Sequence, residues 1–308
     1  MNKVLGIGET VYDIIFQNDQ PVAAVPGGSV FNGLITLGRL GVDCCLISEV
    51  GDDQVGRNIM KFMKKNRVRT EFLSCAKGKK SSISLAYLDE NNDAHYSFYK
   101  DYQNIHLDFE MPDIHKNDVV MFGSFYALNP ILRPQVYNFL SYAKKCGAIL
   151  YYDLNFRDNH KTEAKALQDT IIENYQLADI VRGSHEDFET LYDIADIDRV
   201  YNEKIKCHCK HFIYTCGSNG VELRDGDNNY FFPSKEIQPV STVGAGDNFN
   251  AGIVFGLIKG NITHDCLCSM NRDEWNKLIE FGIEFGTEAC KGLNNYISLE
   301  FADRYKIK

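Results

Sequence analysis

At 308 residues, 44% of them hydrophobic, the chain can bury one large core or form two domains that share a cleft. Its 33 basic and 42 acidic residues leave a net charge of −9, which excludes a broad basic face for nucleic acid or an anionic membrane. No apolar run nears the roughly 20 residues needed to span a bilayer, so neither a nucleic-acid nor a membrane partner is expected.

Taken in chain order, Val4-Leu5-Gly6-Ile7-Gly8-Glu9 reads as a first strand over 4–8 and not as an export signal. Short strands over 11–16 and 21–25 flank a polar turn, Gln17-Asn18-Asp19-Gln20. A helix over 29–40, a strand over 45–50 and a helix over 55–66 follow. A second hairpin, 82–88 with 95–99, surrounds Glu90-Asn91-Asn92-Asp93. Strands over 119–123, 148–152, 180–182 and 212–215 then alternate with helices over 132–145, 163–176 and 185–192. A third hairpin pairs 221–224 with 230–232 across Asp225-Gly226-Asp227-Asn228, and helices over 245–259 and 274–291 close the chain. The alternation predicts an α/β fold with a doubly wound, mostly parallel sheet flanked by helices. Residues 1–308 read as a single such domain, with strands inserted at about 11–26 and 81–101 as a small β-sheet lid. Ten cysteines without an export signal are expected as reduced thiols of a cytoplasmic protein. Cys207-His208-Cys209 with His211 fits no standard zinc spacing and reads as a helix end and loop.

Two segments carry chemistry. In Ser241-Thr242-Val243-Gly244-Ala245-Gly246-Asp247, small residues at 244–246 let a ligand approach the backbone, and the following helix points N–H groups at it. A carboxylate beside such an anion hole can take the proton of an attacking hydroxyl, the pairing that phosphoryl transfer requires. A glycine-rich turn with a helix-start Asp explains the same residues, and composition does not choose between the two. The second segment is Pro26-Gly27-Gly28-Ser29-Val30-Phe31-Asn32-Gly33, with Arg39-Leu40-Gly41 and Val50-Gly51-Asp52-Asp53 beyond it.

This second segment resembles the N-terminal signature of the ribokinase-like (PfkB) carbohydrate kinase family, and residues 241–254 resemble its C-terminal signature, in the family's order. The resemblance implies a ribokinase-like fold and an ATP-dependent sugar kinase that uses Mg²⁺. It implies Asp247 as catalytic base and Gly244, Ala245 and Gly246 as anion hole. For the sugar it implies Asp13, Gly27, Gly28 and Asn32, with Arg157 of Asp153-Leu154-Asn155-Phe156-Arg157 near substrate and phosphates. Lys100 of the lid is the other cation that would face an anionic group. Thr215-Cys216-Gly217 is similar to a T-x-G turn beside the nucleotide, where Ser184, Gly244 and Gly246 also belong. In several family members the lid also forms a homodimer contact.

Three positions depart from the pattern. The family's magnesium-organising N-x-x-E reads Ser184-His185-Glu186-Asp187, so Asp187 or its neighbour Glu186 would serve the metal through water. Ser241 replaces an Asp that helps build a monovalent-cation site in ribokinases, so potassium activation is not carried over. Gly33-Leu34 follow Asn32 where Val-Ala or Thr-Ala is usual, which alters the packing of the pocket.

The D-x-N-x-R segment favours a fructokinase-like enzyme. Lys100 and Arg157 would suit a 2-keto-3-deoxygluconate kinase, and ribokinases and nucleoside kinases share the fold. A dinucleotide-binding dehydrogenase fits less well, because Val11 stands where the third glycine of G-x-G-x-x-G belongs. A non-catalytic sugar-binding protein would not need Asp247 beside an intact anion hole.

Overall fold

The computed structural model describes residues 2–89, 94–100 and 107–307; the turn Glu90-Asn91-Asn92-Asp93 and the end of the second insertion at 101 lie outside them. Among the described residues fourteen strands form two sheets. The larger contains β1 (Val4–Ile7), β4 (Cys44–Gly51), β5 (Val68–Arg69), β6 (Leu73–Ala76), β9 (Val119–Gly123), β10 (Ile149–Asp153), β11 (Ile180–Ser184), β12 (His211–Thr215), β13 (Val221–Asp225) and β14 (Asn228–Phe232). Its order is β14-β13-β12-β11-β10-β9-β1-β4-β5, with β6 also on β4. Every pairing is parallel except β12 with β13 and β13 with β14.

The central strands β1, β9, β10 and β12 are buried at every position, as parallel strands covered on both faces must be. Successive residues feed two opposed cores. Val4, Leu46, Met121, Tyr151 and Ile213 pack against α1 (Ser29–Arg39), α8 (Ala245–Lys259) and α10 (Arg272–Ala289). Leu5, Ile47, Phe122, Tyr152 and Phe212 pack against α4 (Arg133–Lys145), α5 (Ala164–Leu177) and α6 (His185–Tyr192). The remaining helices are α2 (Gln54–Lys65), α3 (Ser124–Leu128), α7 (Ile197–Val200), α9 (His264–Leu267) and α11 (Leu299–Asp303). Among the described residues no helix is long and apolar enough to cross a membrane.

The second sheet has the order β3-β2-β7-β8, from β2 (Val11–Gln17), β3 (Gln20–Gly27), β7 (Ile83–Leu88) and β8 (Ala94–Tyr99). β2 alternates buried and half-buried residues, so one face of this sheet is covered and the other is open. Asp13 of β2 stands opposite Ser84 of β7 and Val25 of β3 on the covered face.

The structure shifts one helix and one suspected cluster. α10 starts at Arg272 and ends at Ala289, where 274–291 was expected, because Asn271 caps it in a box with Glu274. Cys209 is buried beside the start of β12, and the His211 ring meets Asp225 at 3.1 Å. Among the described residues no three His, Cys, Asp or Glu side chains gather as a metal site.

Candidate active site

Asp247 occupies the first turn of α8, preceded by Gly244 at φ +77°, a left-handed conformation that favours glycine. No side chain caps this helix. The Ala245 N–H is taken by the Thr242 carbonyl at 3.1 Å, so Ala245 contributes its small side chain rather than a free donor. Asp247 Oδ2 accepts a hydrogen bond from Asn32 Nδ2 of α1 at 2.8 Å. Burial pushes the Asp247 carboxyl up to about 6 and Asp153 adds to the rise, while the Asn32 donor, Arg157 and Arg182 oppose it.

Behind this turn lies a buried polar network. Asp153, at the carboxyl end of β10, accepts from Arg182 Nη1 at 3.0 Å and from Asn250 Nδ2 at 2.8 Å. Tyr151 OH donates to Asn250 Oδ1 at 2.8 Å, and Arg182 Nη2 donates to Thr215 Oγ1 at 2.6 Å. A Cβ on Gly246 would lie 3.2 Å from both Arg182 Nη atoms, so the guanidinium packs directly against the Gly246 turn. Partnership with Asp153 and Asp187 raises the Arg182 pKa against the cost of burial, fixing a positive charge there.

Asp13 of β2 anchors the opposite end. It is 5% exposed, with Ser84 Oγ donating to Oδ1 and Asn295 Nδ2 to Oδ2. Burial pushes its carboxyl up to about 6; the two donors and Lys100 hold it down, and Glu9 lifts it further. Gly28 turns the chain from β3 into α1 at φ +123°, where a Cβ would lie 2.2 Å from the Glu9 carbonyl oxygen. Lys100, just past β8, is ion-paired with Glu9 and lies 4.4 Å over the Phe98 ring. The Lys100 charge is therefore answered within the chain.

The residues that the resemblance assigns to the nucleotide lie at neighbouring strand ends. Ser184 caps α6, accepting from the Asp187 N–H at 3.2 Å while its own N–H donates to Asp187 Oδ2 at 2.6 Å. Asp187 is buried and its pKa is raised by that burial and by Asp153, against Arg182, the Ser184 N–H and Arg157. Glu186 is exposed one residue earlier, and Arg157 is exposed beyond β10. Gly217 follows β12 at φ +54°, its carbonyl accepting from Ser234 Oγ at 2.8 Å. Ser241 is buried and accepts from the Val243 N–H at 3.2 Å, so a hydroxyl and no carboxylate stands there. Leu34 is fully buried in the core, which places the departure after Asn32 under the site.

Motif reading brought Asn32 and Asp247 into one site, and they touch. It missed Asn295, buried in the irregular segment after α10, for which no spacing rule exists. It also treated Tyr96 only as part of a lid strand. Tyr96 lies within electrostatic reach of Asp13, Arg157 and Asp247, and burial raises its pKa. Its i, i+2 placement with Phe98, on one face of β8, was the available signal.

A buried carboxylate bonded to Asn32, beside a glycine turn backed by a fixed cation, is an arrangement suited to phosphoryl transfer to an alcohol. A family model described as "pfkB family carbohydrate kinase" matches residues 1–271, and the chain belongs to that family. A fructokinase of Vibrio alginolyticus is 24% identical over 256 residues, covering 82% of this chain and 83% of the relative. A 5-dehydro-2-deoxygluconokinase of Geobacillus thermodenitrificans is 28% identical over 254 residues, covering 76% and 72%. Among solved structures, a fructokinase double mutant from Vibrio cholerae O395, bound to fructose, ADP and potassium ion, aligns at a TM-score of 0.87 and 21% identity. That alignment covers 100% of this chain and 99% of the other. Aminoimidazole riboside kinase from Salmonella enterica, complexed with aminoimidazole riboside and an ATP analogue, aligns at 0.80 and 21%, covering 99% and 98%. The fold is ribokinase-like, and the chain is an ATP-dependent sugar kinase.

Proposed function

We propose that this kinase transfers the γ-phosphoryl group of ATP to a hydroxyl of a neutral ketohexose, with fructose the preferred substrate. The observation that carries the reading is the 2.8 Å bond from Asn32 Nδ2 to Asp247 Oδ2, which joins a sugar-binding position to the base. Among the described residues Asn32 Oδ1 is buried without a hydrogen-bond partner, an acceptor suited to a sugar hydroxyl. Asp13 offers a second acceptor, with the Gly27 backbone packed close to its Oδ2 and the Gly28 turn packed against the Glu9 carbonyl. Pairing of Lys100 with Glu9 favours an uncharged sugar over a sugar acid. Relatives named fructokinase support the same choice.

In this mechanism Asp247 takes the hydroxyl proton as attack begins. The backbone N–H groups of Gly244 and Gly246, with the Arg182 charge beneath Gly246 and the small Ala245 side chain leaving room, stabilise the transferring group. Thr215, Gly217 and Ser184 line the nucleotide side. The donor set fits magnesium, which takes hard oxygen ligands and keeps several waters. Glu186, exposed on the first turn of α6, would reach it through water, while Asp187 holds the helix start. When bound, the ion would neutralise charge on the β and γ phosphates.

A second reading, a sugar-acid kinase, is favoured by exposed Arg157 and by the relative named 5-dehydro-2-deoxygluconokinase. An ADP-release screen over fructose, tagatose, ribose, 2-keto-3-deoxygluconate, 5-dehydro-2-deoxygluconate and nucleosides decides between them. Fructose is expected to give the highest kcat/KM. A clear preference for a sugar acid would replace the first reading, and turnover of nucleosides alone would overturn both. The open face of the small sheet, where Tyr87 and Tyr99 are exposed, is the surface through which we propose a lid-mediated homodimer. Light scattering that gives a monomer mass would remove that proposal.

A further inference from the structure

Asn295 lies outside every sequence motif, yet it touches both halves of the site. Its side-chain Nδ2 donates to Asp13 Oδ2 at 2.9 Å. Its main-chain oxygen accepts from Asn248 Nδ2 at 2.9 Å, and that same amide donates to the Gly244 carbonyl at 2.7 Å. A Cβ on Gly244 would lie 2.7 Å from the Asn295 oxygen and 3.0 Å from its carbonyl carbon and Cα, so the turn before α8 rests on the Asn295 backbone. Gly27 closes the other side: a Cβ there would lie 2.1 Å from Asp13 Oδ2 and 3.1 Å from Asn295 Nδ2. Asn295 is 1% exposed, and an apolar residue would fill such a space without desolvating an amide.

We propose that Asn295 is a positioning residue that couples the two halves of the site: its side chain orients the Asp13 carboxylate, and its main chain braces the Gly244 turn where the phosphoryl group is transferred. The role of Asp13 in sugar binding is taken from the function proposed above. Around Asp13 stand the donors Ser84 and Asn295, the charges of Glu9 and Lys100, and the phenols of Tyr96 and Tyr296. Burial already holds the carboxyl up at about 6, and removing one of its two neutral donors moves it higher.

The test pairs Asn295→Ala with Asn295→Leu, which keeps most of the volume without adding a charge and guards against a cavity defect in the first. Steady-state kinetics are measured across pH, and the Asp13 carboxyl is titrated by ¹³C NMR in the ligand-free protein, assigned with Asp13→Asn. KM for the sugar is expected to rise roughly tenfold, the scale of one lost bond to a charged group, with KM for ATP unchanged. The acid limb of kcat/KM for the sugar and the Asp13 titration should move together to higher pH. An unmoved Asp13 titration in both variants, or equal increases in both KM values with an unmoved acid limb, would overturn the proposal. The titration is read without substrate, so a chain that phosphorylated no sugar would sink the sugar-kinase reading and leave this result standing.

Discussion

Asp13 and Asp247 are each pushed up to about 6 by burial, and in the proposed mechanism each acts on the sugar as a carboxylate. We therefore expect kcat/KM for the sugar to fall steeply as pH drops through about 6. The same shift sets a stability dependence of definite sign. Both folded-state values lie above the ordinary 3.8, so the fold favours the neutral acids. Their stabilising contribution is present below about pH 4 and lost as pH rises through about 6. Asp247→Asn, permanently neutral, should thus melt higher than the parent at about pH 8 and close to it at about pH 4. Calorimetry at the two pH values checks this; a gap that does not change with pH contradicts it. The residues of this pair were legible because glycine-rich turns and helix starts have local signatures. Asn295 was not, because only the folded chain brings it to Asp13.

At the scale of the element, helix starts govern the site. In α6, Ser184 and Asp187 satisfy each other's N–H groups. Ser184→Ala should lower stability by about 0.5–2 kcal/mol by removing the cap, measurable in urea. In α8 the turn is held by conformation, since Gly244 has φ +77° and packs on the Asn295 backbone. Gly244→Ala should cost roughly 1–3 kcal/mol of strain and lower kcat by displacing the anion hole; a parental kcat would contradict the role of this turn. Strand and helix periods located most elements because their apolar spacing is long enough to read. β5 has two residues, and α7 and α9 have four each, too few for any period to show.

Across the whole molecule, alternating strand and helix patterns sufficed for a doubly wound sheet, and two early hairpins sufficed for a second, smaller one. Sheet order was not legible, because nothing local tells β1 to pair with β9 as well as β4. Nor was the tie between the sheets. Lys100, 11% exposed in its side chain, joins the end of β8 to Glu9 at the end of β1. Lys100→Met should leave Glu9 without that cation and loosen the small sheet over the sugar end, raising sugar KM several-fold with little change in kcat. An unchanged KM would show that this pair does not hold the lid.

Single-turnover quench of ATP and fructose on Asp247→Asn tests most directly whether Asp247 is, as proposed, the base for phosphoryl transfer. ATP binding should match the parent while the transfer step slows by about 10²-fold or more. Transfer at near the parental rate by a folded, ATP-binding Asp247→Asn protein would contradict it.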